Sequence, residues 1–235
     1  MSAAANSEVV AQYAKPKTNK YQQAAEEFRN SQLFERVARY INSDVKIRGT
    51  LTLVAAECGT INAFYDPTHR AIVLCYEMLE NISLGIAKDM KSASYEEIAD
   101  TAAGAILFVI YHELGHALIH IYNIPVFARE EDSADAISSY FLLRSPNRVA
   151  SINGAMWSFR QKSNSYGSKH FADEHSLDEQ RKFNIICFAI GSDPQAFALQ
   201  AQKLGLPPER SSRCRSEYQK LVSSVNSQLG TRVRQ

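Results

Sequence analysis

Residues 111–120, YHELGHALIH, place three histidines and a glutamate inside an apolar run. His112 and His116 are four apart, so on a helix they share a face and are separated by about 6 Å of axial rise. Two imidazole nitrogens so placed can both bind one tetrahedral Zn²⁺ at about 2.0–2.1 Å. Glu113, beside His112, then faces the same cleft and fits a general base acting on metal-activated water. The competing account is a helix that carries two histidines by accident. A long, otherwise apolar helix, which is the context this chemistry needs, favours the metal.

His120 continues the four-residue spacing, but eight residues of straight helix span about 12 Å, too far for one ion to join it to His112. The pattern that adds a third histidine needs a glycine turn, HExxHxxGxxH, and here Ile119 and Tyr122 stand at the glycine and histidine positions. The third ligand is therefore sought in the next helix, at EDSAD. Glu131 and Asp135 are four apart and share a face. Glu131 is the candidate ligand, and Asp135 can accept a hydrogen bond from the far ring nitrogen of a ligand histidine. Glu130 points about 100° away and is the weaker choice. An acidic first helical turn is favoured by the helix dipole in any case, but that does not account for the pairing of Glu131 with Asp135.

These side chains need two antiparallel helices with a short connection. Ser94 and Glu97 form a capping box for a long helix through IADTAAGAILFVIYHELGHALIHIY, with Pro125 just past its end. A second helix runs through REEDSADAISSYFLLR and stops near Pro146. Upstream, residues 1–19 read as a polar, mobile leader, followed by one helix over YQQAAEEFRNSQLFERVARYIN. A strand is expected in VKIRGTLTLVAAEC, and INAFYD and RAIVLCYE flank the turn residues Pro67, Thr68 and His69 as a hairpin. Downstream come a helix over NRVASINGAMWSFRQK, a polar loop, a helix capped by Ser176 with Glu179, and two more helices. NGAMW at 153–157 echoes an exopeptidase motif, GAMEN, but lacks its glutamate and follows HELGH, so it reads as a packed helix around Trp157. The order gives an α+β fold, mostly α, with a small N-terminal antiparallel sheet or hairpin and a helical body. One domain over residues 20–235 is expected, since no Pro/Gly-rich linker divides it.

Composition is that of an ordinary globular protein. The chain has 235 residues, 45% hydrophobic and 22% charged, with a formal net charge of +1. Near-neutrality without a long basic run gives no sign of a nucleic-acid partner. The longest apolar stretch, Ala102 to Tyr111, is about half of what a bilayer span needs. MSAAANSEVVAQYAKPKTNK lacks a basic-then-apolar pattern, so no signal peptide is visible. The oligomeric state is not readable.

HELGH followed by EDSAD resembles the glutamate-type zincins, in which one helix supplies HExxH and the next supplies ExxAD. Three blocks together, NAFYDPTHRAIVLCYE, HELGHALI…PVFAREEDSAD and DEHSLDEQRKFNIICFAIGSDP, resemble more specifically a family of zinc metallopeptidases classed as a domain of unknown function. That resemblance covers roughly residues 45–225 and implies one zinc per chain at His112, His116 and Glu131, with Glu113 catalytic. A peptide or protein substrate follows from it. Three protein ligands leave a position open, as catalytic zinc requires. The developing oxyanion then needs a positioned donor. His175 is the candidate, with Tyr166 and His170 as alternatives in the same loop. Rival accounts are a catalytically silent zincin-like binding module and a zinc hydrolase of small molecules.

Cys58 and Cys75 flank the hairpin, and Cys187 and Cys214 lie on C-terminal helices, so each pair can be brought together, though four buried thiols would read the same way. The resemblance tips the choice to two disulfides and an oxidising compartment, secreted or periplasmic; the missing signal leaves the cytoplasm open.

Overall fold

The computed structural model describes residues 8–127, 129–159 and 176–234. Four strands, β1 (Glu8–Tyr13), β2 (Thr50–Ala56), β3 (Ala63–Asp66) and β4 (Ala71–Cys75), form one sheet in the order β1-β2-β4-β3. β1–β2 and β2–β4 are parallel, and only the β3–β4 hairpin is antiparallel, so the sheet is mixed. The expected hairpin is present: the Asp66 carboxylate accepts the backbone N–H groups of Thr68 and His69 and closes its turn. In β2, Leu51, Leu53 and Ala55 are fully buried at alternate positions, the mark of a strand with one face on the core.

Two N-terminal expectations are corrected. Glu8–Tyr13, inside the supposed leader, is strand β1. Its outer edge is held by the Asn42 carboxamide, which accepts from Val9 N and donates to Val9 O, so the edge is not left open. The helix expected over 21–42 is broken into α1 (Gln22–Asn30) and α2 (Leu33–Asp44), with Gln32 left-handed at φ 52°. Ser31 donates to Phe28 O and accepts from Leu33 N, the local competition with helical bonding that serine side chains offer.

Among the described residues the remaining helices are α3 (Tyr76–Asp89), α4 (Tyr95–Tyr122), α5 (Glu130–Arg144), α6 (Arg148–Ser158), α7 (Asp178–Ser192), α8 (Ala198–Leu204) and α9 (Pro208–Leu229). The fold is α+β and mostly α. α4 is the axis of the body. It begins with the expected capping box, Ser94 Oγ accepting from Glu97 N while the Glu97 carboxylate accepts from Ser94 N. By length and composition α4 is apolar enough to cross a membrane, but 72% of its most apolar window is buried inside the fold. α6 crosses it at Gly104 and Gly154; a Cβ on Gly154 would lie 2.0 Å from Ala105 N, so only glycine permits this approach. NGAMW lies within α6, and Trp157 Nε1 donates to Asp89. Cys58–Cys75 and Cys187–Cys214 are disulfides, which ties the start of α3 to the loop after β2 and joins α7 to α9. Two such bonds fit an oxidising compartment.

Candidate active site

α4 and α5 pack closely enough for their side chains to meet because of Gly115, inside HELGH. A Cβ there would come within 2.7 Å of Ala134 Cα and 3.0 Å of Ala134 O. Across that contact three donors converge. His112 Nε2 and His116 Nε2 are 3.3 Å apart, His112 Nε2 lies 3.0 Å from Glu131 Oε2, and His116 Nε2 lies 3.3 Å from Glu131 Oε1. A tetrahedral ion with bonds of about 2.0–2.1 Å spaces its ligand atoms by about 3.3 Å, so the triangle has the size of a tetrahedral zinc face.

The outer ring nitrogens are engaged as well. His112 Nδ1 is 2.9 Å from Asp135 Oδ1, and His116 Nδ1 is 2.7 Å from Glu130 Oε1. With Nδ1–H donated to a carboxylate, a neutral imidazole turns the lone pair of Nε2 toward the centre of the triangle. Burial lowers the pKa of both rings, but the carboxylates outweigh it: His112 is raised by Asp135 and Glu131, and His116 is raised to about 9 by Glu131 and Glu130. The same negative potential favours a divalent cation. The donor set and its spacing therefore fit a metal ion.

Glu113 is 8% exposed. Burial raises its carboxyl pKa against the pull of the two histidines, and the backbone N–H of Tyr65 in β3 donates to it. A buried carboxylate of raised pKa beside a convergent donor set is equipped to accept and return a proton.

Asp135 is buried, which alone would raise its pKa. Arg181 of α7 and His112 more than reverse this and hold it below the usual carboxylate range. Arg181 grips it with two bonds, Nε to Oδ2 at 2.6 Å and Nη2 to Oδ1 at 2.8 Å. The guanidinium also lies 4.4 Å from the centre of the Phe159 ring, which meets Phe108 edge-on beside His112.

The sequence-based candidates thus separate cleanly. His112, His116, Glu113, Glu131 and Asp135 come together. His120 stays out of the cluster, its Nδ1 2.9 Å from Tyr65 Oη. His175, with Tyr166 and His170, lies outside the described residues. Ser176 does not cap α7; it donates to Asp132, while the Gln180 side chain accepts from Leu177 N. Both cysteine pairs are spent in disulfides, so the Cys58, Cys75 and Glu77 cluster offers no thiolate to a metal. Two further members, Glu130 and Arg181, carry weak local signals: an acidic residue in a first turn, and an arginine within DEHSLDEQR.

The family model DUF4344, described as "Putative metallopeptidase", matches residues 13–229. The chain belongs to this family. No curated protein and no solved structure matches it. Membership in a metallopeptidase family implies a metal and a peptide or protein substrate, and among the described residues His112, His116 and Glu131 form the candidate donor group that no disulfide uses up, their ligand atoms lying within 4.8 Å of one another.

Proposed function

We propose that this chain is a zinc-dependent peptidase that hydrolyses peptide bonds. His112, His116 and Glu131 would hold one zinc ion per chain, which would supply Lewis acidity to the scissile carbonyl and the attacking water. Glu113 takes the proton of that water and returns it to the leaving amine. Asp135 and Glu130 fix the histidine rings in the ligating tautomer, and Arg181 fixes Asp135. β3 ends the sheet beside Glu113, and we assign it as the strand on which an extended peptide pairs.

The observation that carries this reading is the three-donor triangle with both outer ring nitrogens engaged and a buried carboxylate adjacent. A silent binding module has no use for Glu113, whose burial costs stability. Two disulfides support secretion or a periplasmic location for the mature protein.

Metal analysis tests the assignment. Purified wild type should hold stoichiometric zinc, Glu131→Ala should hold it weakly, and Glu113→Gln should keep zinc while losing cleavage of a peptide library. Full zinc retention by Glu131→Ala removes Glu131 from the ligand set, and persistent cleavage by Glu113→Gln removes the general base.

A further inference from the structure

The end of α4 that lies beyond the donor triangle opens on a pocket of about 360 Å³. It is lined by Lys46, Ile47, Arg48, Tyr122, Arg232 and Arg234: four cations around one aromatic ring and one aliphatic side chain. No described carboxylate pairs with any of the four cations. The Asp44 carboxylate, the acid nearest in sequence, is engaged by Tyr111 Oη at 2.8 Å. The chain as a whole is balanced, with 26 Lys and Arg against 25 Asp and Glu, so this clustering is local and not a consequence of a basic protein.

The pocket is built from three distant segments. Lys46 N donates to Arg232 O and Arg234 N to Asp44 O, which lays residues 232–234 antiparallel to 44–46 through the Val45–Val233 bridge. Gly230, at φ 51°, begins the turn that leads the chain back from α9. Tyr122, at the end of α4, donates its hydroxyl proton to Lys46 O and accepts from Arg48 N. Its ring has Arg232 at 4.4 Å and Arg48 at 5.6 Å. Two more cations hold the same segments by their carbonyls: Arg70 donates to Arg48 O and Arg144 to Arg234 O. Holding like charges together costs stability unless something negative compensates, and here the fold spends a backbone ladder and a stacked tyrosine on keeping them together.

We propose that this pocket is a binding site for a small phosphate-type polyanion carrying at least two phosphoryl groups. Three guanidinium forks and an ammonium match several charged oxygens at once, and forks bind phosphate oxygens in pairs. The volume is at the small end for ligand pockets and the cations converge on a concavity, which suits a compact anion better than an extended nucleic-acid backbone. The free anion and an anionic lipid headgroup present the same chemistry. The site does not depend on the metallopeptidase reading.

Titration calorimetry of the full chain with sodium tripolyphosphate, at fixed ionic strength, tests this. Wild type should bind at a single site. Arg48→Gln with Arg232→Gln should weaken binding by about tenfold or more. Lys46→Gln with Arg234→Gln, which alters only exposed side-chain ends, should weaken it in the same direction, so that a folding failure in the first pair cannot decide the matter. Arg213→Gln with Arg215→Gln removes the same charge from the exposed side of α9 and should leave binding within about twofold. Equal loss in all three variants, or no binding by wild type in either arm, overturns the proposal. In a second arm, co-sedimentation with phosphatidylcholine vesicles containing phosphatidylinositol 4,5-bisphosphate, lost in the pocket variants alone, would identify the headgroup as the source. Tighter binding to single-stranded oligo(dT) than to tripolyphosphate would overturn the compact-anion assignment in favour of nucleic acid.

Discussion

Gly115 is where helix propensity and tertiary packing make opposite forecasts. In an exposed helix interior, Gly→Ala is stabilising by about 1 kcal/mol. Here the new Cβ would stand 2.7 Å from Ala134 Cα, 3.0 Å from its carbonyl oxygen and 3.1 Å from its Cβ. Carbon atoms settle at about 3.5–4.0 Å, so α5 must withdraw from α4 by about 1 Å. Overpacking of this kind costs about 1–3 kcal/mol, which cancels or exceeds the propensity gain. The larger effect falls on the site. Glu131 and Asp135 flank Ala134 on α5 and move with it, stretching donor separations that now stand at 3.0 and 3.3 Å. Metal sites tolerate bond errors of only about 0.2 Å, and displacing Glu131 also loosens the Asp135 grip on His112.

Gly115→Ala should therefore lower zinc affinity by about 10–100-fold, the range seen when a ligand's supporting shell is disturbed. The assay is chelator competition for zinc on wild type and variant, with urea unfolding of the metal-free proteins run beside it. Metal-free stability should be unchanged or lower by up to about 2 kcal/mol. A variant that is more stable than wild type and binds zinc equally well would refute the reasoning. Propensity alone would then govern the position, and the close approach of α4 and α5 would have no part in the site.

The other expectations can be checked with the same preparations. Arg181→Ala should destabilise the metal-free protein by about 3–5 kcal/mol, because it strands the buried Asp135 carboxylate. It should also weaken zinc binding; Arg181→Lys should rescue little, since a single ammonium cannot reproduce the two-bond grip. Unchanged zinc affinity in Arg181→Ala would separate α7 from the site. The disulfides close separations of 17 and 27 residues, so losing either should cost about 3 kcal/mol, read as the shift in urea midpoint between Cys→Ser pairs and wild type. Four free thiols in unreduced, denatured protein would reject both bridges.

What the sequence made legible is what depends on neighbours within a few residues. The capping box at Ser94, the shared face of His112 and His116, the pairing of Glu131 with Asp135 and the β3–β4 turn are all settled over two to four positions, where helix and strand periods apply directly. The elements misread are those in which a distant partner or a single side chain decides. EVVAQY becomes a strand only because β2 pairs with it in parallel, and Asn42 satisfies its outer edge. The break at Gln32 turns on the Ser31 hydroxyl competing for backbone bonds.

The same division runs through the candidate site. Its inner triangle is local to two helices, whereas its support is not. Arg181 reaches Asp135 across 46 residues, and Glu130 meets His116 only because α4 and α5 are already in contact. Gly115 did leave a trace, since a glycine deep in a 28-residue apolar helix costs helical stability and asks for a reason. The reason is the Ala134 contact. On the proposed reading HELGH carries two kinds of information: the histidines and glutamate specify chemistry, and the glycine specifies how near the second helix must come. A sequence keeping HExxH without a small residue at the position of Gly115 would hold α5 farther off, and its Glu131 counterpart could complete the triangle only by a different helix crossing.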